Sequence, residues 1–88
     1  MSDDQIIIDV REPDEYTVSH VNGALNIPPS ELMAGSSLLN NTLKNTKIIV
    51  YCRSGSRSDT AIQILKQQGF TNLINGINAD HVNRLYLS

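Results

Sequence analysis

The polar hexapeptide Cys52-Arg53-Ser54-Gly55-Ser56-Arg57 places a thiol, two cations and three small residues in consecutive positions. Small residues around a glycine let successive backbone N–H groups turn inward. A loop of that kind leading into a helix offers unpaired amides and the positive end of the helix dipole to an anion. The same donors stabilise a thiolate: free cysteine titrates near ~8.5, and helix N-termini with neighbouring cations lower it to roughly 3.5–7.5. Arg53 and Arg57 supply the cations, so the loop is expected to bring a small anion to a nucleophilic sulfur. The bland alternative is that a lone cysteine is a small buried hydrophobe. Packing alone gives no reason for two arginines beside it, since arginine is almost never buried unpaired.

Composition narrows the remaining roles. The chain has 88 residues, a formal net charge of −2 and an apolar fraction of 40%, which fits one small domain over residues 1–88. A mildly acidic chain has no general basic field for nucleic acid or anionic lipid, so neither is expected as a partner, and any anion must be held locally. No apolar run approaches the ~18 residues of a membrane span, and Met1-Ser2-Asp3-Asp4 lacks the basic and apolar regions of a signal peptide. The chain as it stands is therefore expected in the cytoplasm, or in the periplasm if a leader was trimmed from it. Cys52 is the single cysteine and there are two histidines, too few for an internal disulfide or an ordinary structural zinc site.

The elements that must position the loop alternate between strand and helix. Ile6-Ile7-Ile8-Asp9-Val10 and Lys47-Ile48-Ile49-Val50-Tyr51 are apolar runs without polar alternation, as in strands of a parallel sheet covered on both faces. Pro13, with acids at Glu12, Asp14 and Glu15, predicts a short helix over 13–19. Ala24-Leu25-Asn26-Ile27 reads as a strand stopped by Pro28-Pro29, and residues 30–46 as one or two short helices. After the hexapeptide, Ala61, Ile62, Ile64 and Leu65 form one apolar stripe of a helix. Ser56 and Asp59 resemble its capping box, and Gly69 with Phe70 its left-handed C-terminal cap. Leu73-Ile74 reads as a short strand, and Val82, Leu85 and Tyr86 as the stripe of a terminal helix. The order implies an α/β fold, a parallel sheet joined by right-handed crossovers with ligands at the carboxyl ends of its strands. Cys52 is at such an end.

The hexapeptide, Asp9-Val10-Arg11-Glu12 at the first strand end, His20-Val21-Asn22-Gly23-Ala24 and Asn26-Ile27-Pro28 together resemble the rhodanese-like sulfurtransferase family over about residues 5–76. The likeness is greatest to its small single-domain members, the phage-shock type among them. What the resemblance implies is a doubly wound parallel sheet of four to five strands with helices on both faces. It also implies a thiosulfate:cyanide sulfurtransferase without metal or organic cofactor, in which Cys52 is catalytic and carries a persulfide. Arg53, Ser54, Gly55, Ser56 and Arg57 would bind the donor. Asp9 and Arg11, at the carboxyl end of the first strand, would brace the active loop, or else be a turn residue and a surface charge. The expected partners are a small sulfur donor, thiosulfate, and cyanide or a thiol as acceptor, met by a monomer. His20 is expected to close a helix, Ser58 and Asp59 to start one, and His81 and Arg84 to lie on a solvated face. Two departures stand out: many relatives carry Gly-Gly after the last strand and a tryptophan beyond it, whereas here Asn75-Gly76-Ile77-Asn78 has one glycine and the chain no tryptophan.

Two rival readings stay open. Phosphatases and arsenate reductases also pair a cysteine with an arginine in an anion loop, but with five residues between them; here four separate Cys52 from Arg57, a tighter ring that suits sulfur better than phosphate. A non-catalytic or sulfur-carrier module is the other.

Overall fold

A computed structural model describes residues 5–87. Met1–Asp4, on which the leader reading rests, lie outside them. The elements run β1 (Gln5–Asp9), α1 (Pro13–Val18), β2 (Leu25–Asn26), α2 (Pro29–Met33), a 3-10 turn at Ser37–Leu39, β3 (Lys47–Cys52), α3 (Ser56–Gln67), β4 (Leu73–Asn78) and α4 (Ala79–Tyr86). The four strands form one sheet in the order β2-β1-β3-β4, every pairing parallel. Chain direction across the sheet reverses between β1 and β3, so the crevice beyond their carboxyl ends is the ligand position expected of this topology.

Successive residues of β3 point to opposite faces, and both faces are covered, which is why its sequence shows no polar alternation. Ile48, Val50 and Cys52 join Ile8, Val10, Leu32, Leu65 and Phe70 in one core cluster. Ile49 and Tyr51 join Ile7, Val21 and Val82 in the other. Each fully buried Ile, Leu or Val here contributes about 1.5–3 kcal/mol of transfer free energy. The two clusters fix the register in which Cys52 and Tyr51 face opposite ways.

The C-terminal cap of α3 forms as the sequence predicts. Gly69 adopts φ +99°, the Gly69 and Phe70 N–H groups donate to Lys66 O and Leu65 O at 3.0 and 3.1 Å, and Phe70 is buried. Three expectations are corrected. The Ser56–Asp59 capping box does not form: Gly55 is the N-cap, at φ +96° and with no side-chain cap, and Ser56 is the first helical residue. Strand β4 does not stop at Ile74 but runs to Asn78, because pairing with β3 outweighs the poor strand preference of Asn75 and Gly76. In α4, Val82 is buried and Tyr86 packs on the second cluster, whereas Leu85 is exposed, so the apolar stripe is narrower than predicted. Asn78 caps α4, its Oδ1 accepting from the His81 N–H at 2.8 Å.

β4 carries an extra residue. Val50 pairs with Asn75 but Tyr51 pairs with Ile77, leaving Gly76 opposite neither. Ile77 then takes φ +71°, a conformation costly for a β-branched residue and easy for glycine. At the amino end of the sheet, Gln5 Nε2 donates to Tyr86 O at 3.4 Å, joining the first described strand to the last helix. No helix among the described residues is long and apolar enough to cross a membrane.

Candidate active site

Cys52 ends β3 almost wholly buried, 2% exposed. The turn that follows folds back over it so that the Gly55 N–H donates to Sγ at 3.1 Å. That turn requires the positive φ of Gly55. A Cβ there would have room, meeting nothing closer than 3.7 Å, so backbone strain rather than crowding dictates glycine. Ser58, in the first turn of α3 and fully buried, sets its Oγ 3.6 Å from Sγ. The same hydroxyl lies 3.0 Å from Gly55 O and 2.6 Å from Asn75 Oδ1. Asn75 completes the clamp from β4: its Nδ2 donates to Gly55 O at 3.1 Å and its Oδ1 accepts from the Ile77 N–H at 2.9 Å.

Burial by itself would push the Cys52 thiol up, but the N–H and hydroxyl of Ser58 with the N–H groups of Ser54 and Gly55 outweigh it and bring the group down to about 7 from 9.0. A large share of Cys52 is therefore thiolate at neutral pH. Arg57 adds a favourable charge interaction with the sulfur.

The loop cations are not free. Arg57 Nη1 and Nη2 donate to Glu15 Oε1 and Oε2 at 2.9 and 3.4 Å, and Arg53 Nη1 lies 3.9 Å from the same carboxylate. Arg57, followed by the Glu12 N–H, holds the Glu15 carboxyl down at about 2. Arg53 projects outward with its side chain 74% exposed. Ser54 and Ser56 are exposed, Ser54 contributing its N–H to the thiolate.

Asp9 and Arg11 lie behind Tyr51 rather than beside Cys52. Arg11 Nε and Nη2 grip the Asp9 carboxylate at 2.9, 3.1 and 2.7 Å, and Nη2 also donates to Ser19 O at 2.6 Å. Tyr51 Oη donates to Asp9 Oδ2 and accepts from the Val21 N–H, both at 2.9 Å. No hydrogen bond or ion pair of either residue among the described residues reaches the 53–57 loop, so any bracing passes through Tyr51, one residue before the thiol. Tyr51→Phe would leave the buried Val21 N–H without an acceptor, and a loss of about 2 kcal/mol is expected. Chemical denaturation checks it; an unchanged midpoint would show that water replaces the hydroxyl. His20 closes α1 as predicted, its Nδ1 bonded to Tyr16 O at 2.8 Å and its ring stacked on that of Tyr16.

Sequence reasoning missed Glu15, Ser58 and Asn75 as parts of the site. Glu15 was legible only as a helix-start acid and Ser58 as a helix-start residue; nothing local marks Asn75.

Comparison with known proteins identifies the family. The family described as rhodanese-like domain matches residues 1–79. Over 68 residues the chain is 40% identical to the thiosulfate sulfurtransferase PspE of Escherichia coli strain K12, covering 77% of this chain and 64% of that protein. Over 69 residues it is 41% identical to the putative sulfur carrier protein YrkF of Bacillus subtilis strain 168, covering 78% of this chain and 36% of that one. The chain thus spans between about a third and two thirds of the length of these relatives, at 36% and 64%. Among solved structures, a rhodanese with anions from E. coli superposes with a TM-score of 0.77 at 35% identity, over 88% of this chain and 89% of that one. With the motifs, the parallel sheet and the cysteine loop in agreement, the chain belongs to the rhodanese-like domain family.

Proposed function

We propose that the chain is a thiosulfate sulfurtransferase in which Cys52 carries the transferred sulfur. The observation that carries the reading is the thiol itself: a buried Sγ receiving the Gly55 N–H at 3.1 Å, with its titration brought down to about 7. The thiolate attacks the outer sulfur of thiosulfate. The new Cys52 S–S bond forms as the donor's S–S bond breaks, and sulfite leaves with that electron pair. The terminal persulfide sulfur then carries the negative charge, within reach of the inward-turned loop amides. Cyanide attacks that sulfur, thiocyanate leaves and the Cys52 thiolate is restored. Neither step moves a proton, so the ping-pong cycle needs no general base.

The likeness to PspE supports thiosulfate as donor, and the likeness to YrkF supports a second reading, in which the same persulfide is delivered to a protein acceptor. Mass spectrometry after incubation with thiosulfate is expected to show the gain of one sulfur atom, its loss on adding cyanide, and neither change in Cys52→Ser. An adduct that resists cyanide would favour the carrier reading. No adduct on the wild-type chain, or an equal one on Cys52→Ser, would sink both.

A further inference from the structure

We infer that Glu15 is a specificity residue that sets how much negative charge the sulfur donor carries, an inference that rests on the proposed sulfur-transfer chemistry and deepens it. Arg53 and Arg57 are the cations on the Cys52 loop, and both converge on a carboxylate that belongs to the chain itself. Glu15 grips Arg57 at 2.9 and 3.4 Å and lies 3.9 Å from Arg53. It is held there from its own helix as well, Oε1 accepting the Glu12 N–H at 2.9 Å. Arg57 is the cation that interacts with the sulfur while Arg53 projects outward, so the Glu15 carboxylate offsets much of the positive charge the loop offers a donor.

Donors differ in charge at the same reacting sulfur. Thiosulfate is a dianion; an organic thiosulfonate such as methanethiosulfonate is a monoanion. In each case the Cys52 thiolate takes the terminal sulfur, and sulfite or methanesulfinate leaves with the electron pair of the broken S–S bond. Glu15 repels both donors, the dianion about twice as strongly. For one extra unit charge within about a Debye length of a partly solvated carboxylate, the difference corresponds to a factor of about five to ten in rate. Added salt shrinks that factor, because the pair borders solvent.

The test compares kcat/KM for thiosulfate and methanethiosulfonate in the wild-type chain, E15Q and E15A. The expected result is that the thiosulfate-to-methanethiosulfonate ratio rises about five- to tenfold in both variants and that salt diminishes the rise. Taking a ratio cancels any general loss of loop order, which touches both donors alike. An unchanged or lowered ratio in a folded variant overturns the inference. The wild-type chain supplies a test that needs no variant. Sulfate and methanesulfonate, inert analogues of the two donors, are compared for their ability to slow alkylation of Cys52; with Glu15 in place they are expected to protect within about fivefold of one another, and a preference for sulfate above about fiftyfold overturns the inference. If neither donor adds sulfur to wild-type Cys52, the sulfur-transfer reading fails on its own, while the two inert anions, compared between the wild-type chain and E15Q, still decide whether Glu15 governs charge.

Discussion

Gly76→Ala is expected to destabilise the fold by about 3 kcal/mol, at the upper end of what overpacking a core costs. A Cβ at this position would lie 2.6 Å from Val82 Cγ2, 2.9 Å from Ile49 Cγ2 and 3.4 Å from Val50 O. Val82 and Ile49 are fully buried, so neither can swing into solvent. The clash can be relieved only by lifting α4 from the sheet or by parting β4 from β3, and the second would also drag Asn75 away from the Cys52 loop. Urea denaturation measures the loss. A change below about 0.5 kcal/mol, the range of innocuous surface substitutions, would show that α4 yields freely and that this wall of the core is soft.

Ser58→Ala is expected to raise the Cys52 thiol from about 7 toward its ordinary 9.0. The Ser58 hydroxyl has one proton and three acceptors near it: Sγ, Gly55 O and Asn75 Oδ1. While Cys52 is a thiol, its S–H donates to Oγ and the hydroxyl proton goes to Asn75 or Gly55. When Cys52 is a thiolate, the hydroxyl turns to the sulfur, and nothing is orphaned, since Asn75 Oδ1 keeps the Ile77 N–H and Gly55 O keeps Asn75 Nδ2. Removing the hydroxyl costs the thiolate a charge-assisted donor and the thiol only an acceptor for its weak S–H, so the charged form loses more. A rise of about one unit, hence roughly tenfold slower alkylation below the midpoint at equal pH, is the expected size. The pH profile of alkylation by iodoacetamide reads it, and a folded variant with an unmoved midpoint would assign the thiolate wholly to the backbone amides. The linkage has a definite sign. A thiol lowered in the folded state contributes stability that is fully present above its ordinary free value and is lost as pH falls through about 7. Wild-type stability should gain from this group between those limits, and Ser58→Ala should gain less.

Much of this was legible in the sequence, for local reasons. Strands β1 and β3 announce themselves as apolar runs too short for helices, and α3 as an apolar stripe ending at Gly69. The Cys52 loop could be read as an anion cradle because its thiol, glycine and arginines are neighbours in sequence. What stayed hidden depends on partners far along the chain. The Glu15–Arg57 pair joins residues 42 apart, and Asn75 reaches Gly55 across 20; no spacing rule anticipates either. Asn75 and Gly76 look like the end of a strand until β3 recruits them into the ladder. Asp9 and Arg11 were visible as a charged strand end, but the face on which they act is set by sheet register, which places them behind Tyr51.

The bond between Gln5 and the carbonyl of Tyr86 brings the two ends of the described fold together at the edge opposite Cys52. A unit whose ends meet far from its chemistry can be spliced between flanking segments, or joined end to end and reopened in a distant turn, without straining the loop that works. The B. subtilis relative of which this chain covers 36% of the length is compatible with such use, with Cys52 facing away from the seams.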